Sequence, residues 1–437
     1  MSAVAVIAQA RGLIGELRRQ QVMDVVRAAA FTGALLLAWI SLRPFADLGN
    51  QELKEAASGN ETMTYAVFGA FAMLMLLLAV RDHPRGLTTL LSPGWILLVG
   101  AILASVVLST EPITSVKRLV LTACVAVVAA TLTLLPKTQA ELTRWLSAAA
   151  LVLLAVCYLG ILFAPHFSIH QVTDIQEPHL AGDWRGCFGH KNEAAAVMSM
   201  LLFVGIFAMR SRALLSGAII VVLALVFLLN CAGKTSTALI LVVLTLSSLT
   251  AIVHSLWLRA IMLLAPLLVL NLLGIGTVLS EHLADAAKLL PLDTSFTGRT
   301  DIWTFAIQAL QTKLWTGFGF EAFWGSGSIQ NLPEGMEWAE YASHSHNGYL
   351  DTALSMGLPG LVVLIAVFVI APLRNFHHAD RGGNDGPFSM LLLRVWLFGI
   401  YLSSLESFFL DRADPIWFTF LVAVFGLHYL ARFRTRG

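Results

Sequence analysis

Residues 145–164 read WLSAAALVLLAVCYLGILFA, twenty residues without a charged side chain. A helix rises about 1.5 Å per residue, so such a run matches the ~30 Å hydrocarbon core of a bilayer. Further runs of this kind lie on both sides of it, near 25–43, 63–80, 90–109, 115–135, 191–209, 213–231, 235–254, 259–279, 348–371, 387–407 and 415–431. Composition agrees. Of 437 residues, 57% are hydrophobic and 13% charged, with mean hydropathy +0.77, whereas soluble domains carry roughly a quarter charged residues. The expected fold class is an all-α polytopic membrane protein of about twelve transmembrane helices. A formal net charge of +1 gives no electrostatic footprint for nucleic acid.

Residues 1–24 carry Arg11, Arg18 and Arg19. They read as a cytoplasmic amphipathic segment before an uncleaved first span, since no small-residue cleavage site is placed to make them a signal peptide. The remaining basic residues of one side, among them Arg81, Arg85, Lys137, Arg144, Arg210, Arg212, Arg259, Arg374, Arg381 and Arg432, fall in short connectors. The positive-inside rule then puts both termini in the cytoplasm of a bacterial inner membrane. The longer segments 44–62, 165–190, 280–347 and 408–414 face the other way. The expected organisation is therefore 1–24, spans one to nine within 25–279, a large outer loop 280–347, spans ten to twelve within 348–431, and a tail 432–437. Cys124, Cys157, Cys187 and Cys231 form no CxxC pair, which argues against a zinc or redox motif. Cys187 and Cys231 both reach the outer side, and whether they pair is left open by the sequence.

The outer loop 280–347 is long for a connector and rich in aromatic residues. Ile302, Trp303, Ala306, Ile307 and Leu310 recur at helical spacing. Thr297 can cap that helix, Gly317 and Gly319 end it, and Gly325 and Gly327 mark a further turn.

Four groups on the outer side carry chemistry. The loop runs into Ser343–Gly360, SHSHNGYLDTALSMGLPG. His344 and His346 can exchange a proton near neutral pH, with Asn347 to orient a ring or a substrate, or they are polar tips at a membrane interface. Arg299 opens the loop helix, where free N–H groups and a guanidinium suit phosphate oxygens; pairing with Asp301 or Asp293 is the plainer alternative. Arg185, His190, Lys191 and Asn192 stand at the mouth of another span, fit either for an anionic headgroup or for interfacial anchoring. Lys234 lies between two apolar runs, either at functional depth or snorkelling from a short hairpin. The acids Asp183, Glu321, Glu334, Glu337 and Glu340 have no spacing that pairs them, and no Asp-x-Asp cluster would hold magnesium. Trp184, Trp303, Trp315, Trp324 and Trp338 are candidates for stacking on sugar rings or for an aromatic belt.

Taken together these residues resemble the O-antigen ligase and O-antigen polymerase superfamily, and within it the ExoQ-like exopolysaccharide polymerases. The resemblance rests on His346-Asn347, nine residues and Gly357-Leu358-Pro359-Gly360; on Gly298-Arg299-Thr300-Asp301-Ile302-Trp303; on Phe188-Gly189-His190-Lys191-Asn192; and on the pattern of spans. Lys234 stands where the family usually has an arginine. The resemblance implies an inverting, metal-independent, cofactor-free glycosyltransferase of GT-C type architecture. The donor would be an oligosaccharide on undecaprenyl diphosphate and the acceptor a glycan or a lipid-linked glycan, with other polysaccharide assembly and export proteins as partners. His346 would be the general base. Arg299, Arg185 and Lys234 would bind diphosphate. His190, Lys191, Asn192, His344, Asn347 and Trp303 would support or line the cavity. Joining of repeat units is favoured over ligation to lipid A core or another acceptor, and a transporter or flippase is a third reading.

Overall fold

A computed structural model of the chain describes residues 3–40, 42, 44–49, 61–175, 177–289, 299–324, 342–384 and 386–433. The helices used below are α1 (Ala3–Ile40), α2 (Glu61–Asp82), α3 (Pro93–Val107), α4 (Pro112–Leu132), α5 (Gln139–Phe163), α6 (Lys191–Arg210), α7 (Leu214–Asn230), α8 (Lys234–Leu249), α9 (Leu256–Leu273), α10 (Arg299–Thr312), α11 (Gly348–Ile365), α12 (Ala371–Arg381), α13 (Pro387–Leu402) and α14 (Pro415–Leu430). No β-strand forms among the described residues; Ile169 and Trp184 make one isolated bridge.

Among the described residues seven helices are long and apolar enough to cross a bilayer, and an eighth counts if the pair 84–91 and 93–107, bent by 65°, is one span. α7, α8, α13 and α14 are apolar but only 16–17 residues long, so a count of twelve requires these shorter helices to cross too. The chain is an all-α, multi-pass membrane protein. Its layering follows from burial. In α6, 78% of the span is buried, against 11% in α9. α6 and α13 form the centre, while α9 turns Ile261, Leu268 and Leu272 outward as a bilayer-facing surface. α6 and α7 approach closely at Gly205 and Gly217, where a Cβ on either would stand within 3 Å of the other's carbonyl oxygen. Small residues let membrane helices pack backbone to backbone in this way.

Three boundaries differ from the hydropathy reading. α1 runs unbroken from Ala3, with no interruption at residue 24. The span expected at 348–371 continues through a π-helical turn to Arg381. α11 is itself broken at Gly357, where φ is +67°. That break gives the Gly-x-x-Gly motif its physical meaning. A Cβ at 357 would lie 2.5 Å from the Trp315 carbonyl, and one at Gly360 would lie 2.2 Å from the Met356 Cβ. The freed backbone groups are satisfied by residues 314–319: Phe318 N–H donates to Leu354 O at 2.7 Å, Gly319 N–H to Ser355 O at 3.1 Å, and Leu358 N–H to Leu314 O at 2.9 Å. The motif fastens the loop to the membrane helix.

Candidate functional site

α10 begins at Arg299 and packs against α11 through Trp303, Phe305, Ala306, Leu350, Ala353 and Leu354. Thr297 and Gly298, expected to cap and precede it, lie outside the described residues. This packing brings the first residue of α10 to the first turn of α11. There Asn347 is the N-cap: its side-chain oxygen accepts from Tyr349 N–H and Leu350 N–H, both at 3.0 Å. Its amide donates to Ser404 O at 2.9 Å. Asp351 reaches back to accept from Ser345 N–H at 3.1–3.2 Å and from Trp324 Nε1–H at 2.7 Å. The turn is thereby over-determined, and it holds His346 at φ +54°. A left-handed backbone at a non-glycine residue costs about 1–3 kcal/mol and persists where its surroundings enforce it.

Glu406, in the turn between α13 and α14, joins the parts. Its Oε2 lies 3.1 Å from His346 Nδ1, and its Oε1 accepts from Arg299 at 2.9 Å and from the Asn192 amide at 3.1 Å. The same turn supplies three successive carbonyls: Ser403 O takes Gly348 N–H, Ser404 O takes the Asn347 amide, and Leu405 O takes the other arm of Arg299. Asn271 of α9 adds a hydrogen bond to the Ser404 hydroxyl at 2.8 Å. Burial opposes ionisation of Glu406, but its hydrogen bond with His346 and the positive charge of Arg299 hold its carboxyl down at about 2. It is a carboxylate at any pH near neutral, and it can hold a proton on His346 Nδ1 and leave Nε2 as the open face. The His344 ring meets His346 edge to face at 4.2 Å, and its Nδ1 accepts the His346 N–H at 3.3 Å. Burial and the neighbouring His346 push His344 down to about 4, so it is neutral.

Other expected residues are placed differently. Arg185 is 1% exposed and donates to Phe188 O and Ala46 O at 3.1 and 2.7 Å. In this structure it braces the 165–190 segment through these two carbonyls. Lys191 Nζ is paired with Asp183 at 2.5 Å. His190 caps α6 by accepting Asn192 N–H at 3.0 Å, and its Nε2 faces Glu177 at 2.8 Å. Lys234 opens α8 with an exposed side chain and has no ion-pair partner among the described residues. Trp303 is fully buried, donating Nε1–H to Ser345 O at 2.9 Å, so it supports the turn and offers no face for stacking. Trp338, Glu334, Glu337 and Glu340 lie outside the described residues. Glu321 is paired with Arg412 and Arg118. All four cysteines are free; the close thiols are Cys157 and Cys187, at 3.6 Å.

A cavity of about 510 Å³ opens beside this assembly, lined by Trp39, Phe188, Glu193, Asp411, Arg412 and Asp414 among others. That volume is in the ~300–1,000 Å³ range of small-ligand sites. Glu193 follows Asn192 directly, so one turn of α6 touches both Glu406 and the cavity. Burial pushes Asp411 and Asp414 up, and the neighbouring acids Asp411 and Glu193 push Asp414 further.

Residues 197–365 match the family model described as O-Antigen ligase. The match covers less than half of the 437-residue chain, and over that region the chain is similar to the O-antigen ligases. It is also similar to the exopolysaccharide production protein ExoQ of Rhizobium meliloti (strain 1021), 31% identical over 113 residues. That match covers 24% of this chain and 24% of the relative, about a quarter of each. The family region includes Arg299, His346, Asn347 and the Gly357–Gly360 motif, while Asn192 and Glu406 fall on either side of it.

Proposed function

We propose that this protein belongs to the O-antigen ligase and polymerase family and is a glycosyltransferase that joins polysaccharide repeat units at the periplasmic face of the bacterial inner membrane, using a glycan carried on undecaprenyl diphosphate. The observation that carries the reading is the single carboxylate, Glu406, within hydrogen-bond reach of both His346 and Arg299. A proton acceptor and an anion receptor are thereby held side by side, as a hydroxyl acceptor and a diphosphate leaving group require. His346 Nε2 takes the proton of the acceptor hydroxyl. The acceptor oxygen bonds to the donor's anomeric carbon as the bond to phosphate breaks, with inversion there. The diphosphate leaves as an anion. Arg299 spends two of its five donors on Leu405 O and Glu406, and its others face the departing oxygens. Lys234 adds charge for the carrier headgroup. The acid-lined cavity, whose lining includes Glu193 beside Asn192 in sequence, would receive hydroxyl-rich sugar rings. His344 and Asn347 hold His346 in place, and Lys191 and His190 brace the mouth of the cavity.

The relative named for exopolysaccharide production is consistent with joining of repeat units, which the His190-Lys191-Asn192 motif favours, and the family description favours ligation to a separate acceptor. Purified protein with a carrier-linked repeat unit tests the common chemistry. His346→Ala should lower the rate by about 10²- to 10⁴-fold, the contribution of a general base, and chelation of divalent metals should leave the wild-type rate unchanged. Full transfer by the alanine variant removes His346 from the mechanism. A deletion strain separates the two outcomes. Single repeat units on the carrier support polymerisation, and long carrier-linked chains support ligation.

A further inference from the structure

Two histidine–carboxylate pairs, one buried and one half-exposed, lie away from His346, around the N-terminus of α6. His170 Nδ1 is 2.8 Å from Asp174, and His190 Nε2 is 2.8 Å from Glu177. The two rings meet edge to face at 5.4 Å. Each resembles a base held by an acid, but the opposite nitrogen of each ring faces a backbone N–H of α6. His170 Nε2 accepts from Lys191 N–H at 3.3 Å, and His190 Nδ1 accepts from Asn192 N–H at 3.0 Å. A backbone N–H can only donate, so both lone pairs are spent and both ring protons point to the carboxylates. Burial also pushes His170 down, towards the neutral ring. The pairs therefore serve as caps for N–H groups that a helix start leaves unsatisfied.

The residue between the capped turn and the site is Asn192, whose amide donates to Glu406 Oε1 at 3.1 Å. The rest of the mouth is pinned as well: Lys191 Nζ holds Asp183, whose carbonyl accepts His170 N–H at 2.9 Å. We infer that His170–Asp174 and His190–Glu177 are positioning pairs for the transfer reaction: they fix the first turn of α6 so that Asn192 orients Glu406, and through it His346 and Arg299. The inference rests on the proposed function above and gives His190 of the His-Lys-Asn motif a role without substrate contact.

The test is steady-state kinetics of the full-length protein with a carrier-linked repeat unit. His190→Ala and His170→Ala should lower kcat by about 10- to 100-fold, the effect of a misplacement near 1 Å, with KM changed by less than about twofold. His190→Asn and His170→Gln keep an oxygen that can accept the backbone N–H and should recover most of kcat. Coupling gives the second readout. If His190 acts through Asn192, then His190→Ala in an Asn192→Ala background should cost almost nothing further. Should the alanine variant fail to fold, Glu177→Ala, which removes the carboxylate that holds the His190 ring, replaces it in that cycle with Asn192→Ala. Unchanged kcat in folded single variants overturns the inference, as do losses that multiply in the double variant. His346→Ala run beside them separates the claims. If it retains activity the functional reading fails, whereas if it alone loses activity only the positioning pairs are refuted.

Discussion

At the N-terminus of α6, Arg185 and Lys191 stand beside His170 and His190; at the N-terminus of α11, Arg299 stands beside His344 and His346. In sequence the two mouths look alike, each with basic groups and histidines where a span begins. In the structure they divide the work. At the α6 mouth Arg185 donates to main-chain carbonyls, Lys191 pairs with Asp183, and both histidines lie between backbone N–H groups and carboxylates. At the α11 mouth one carboxylate from a distant turn takes one side of His346 and one arm of Arg299, and among the described residues no hydrogen bond occupies His346 Nε2. The type of residue does not separate a brace from a reactive group here. The identity of the partner and what it leaves uncovered do.

The sharpest way to break this comparison is at the loop's anchor. Gly357→Ala puts a Cβ into the Trp315 backbone at a positive φ. It should detach the loop and abolish transfer, with a large loss of folded yield in detergent, while the α6 mouth stays protected from proteolysis. Exchanging the two arginines tests the division of labour next. Arg299→Lys should preserve the fold, raise KM for the carrier-linked donor and lower kcat, since the fork is lost. Arg185→Met should instead lower thermal stability, because each acceptor it orphans costs about 1–3 kcal/mol, and leave KM of the folded fraction near wild type. Equal kinetic effects from both substitutions would erase the distinction. The smallest effect is expected from pH. His344 has its folded-state value pushed from 6.5 to about 4. Its contribution is therefore complete above about pH 6.5 and is lost as pH falls towards 4. His344→Asn should flatten the decline in unfolding temperature across that window.

Much of this was legible beforehand. Apolar run length fixed the helices, the i, i+3, i+4 pattern found α10, and the His346–Asn347 and Gly357–Gly360 spacing marked the turn where the chain breaks and reorders. Glu406 was not legible. It bonds to residues 60, 107 and 214 positions away, and it lay at the end of an expected span, 387–407, as one acid among apolar neighbours. A charge so placed is by default a functional signal, and that signal was present. Asn271 was hidden in the same way inside α9. The commitment of Arg185 depends on carbonyls at Ala46 and Phe188, which no side-chain pattern encodes. The break between residues 1–24 and the first span was expected from amphipathicity, yet nothing in the chain interrupts the hydrogen-bond ladder there, and α1 continues.

The central claim is that Glu406 makes His346 and Arg299 one site. A double-mutant cycle of Glu406→Gln and His346→Ala, measured as transfer from a carrier-linked repeat unit, tests it most directly. Glu406→Gln alone should lower kcat by about 10- to 100-fold, as loss of an orienting partner does, and should add little once His346 is alanine. Wild-type kcat in a folded Glu406→Gln protein, or a full second loss in the double variant, would contradict the account.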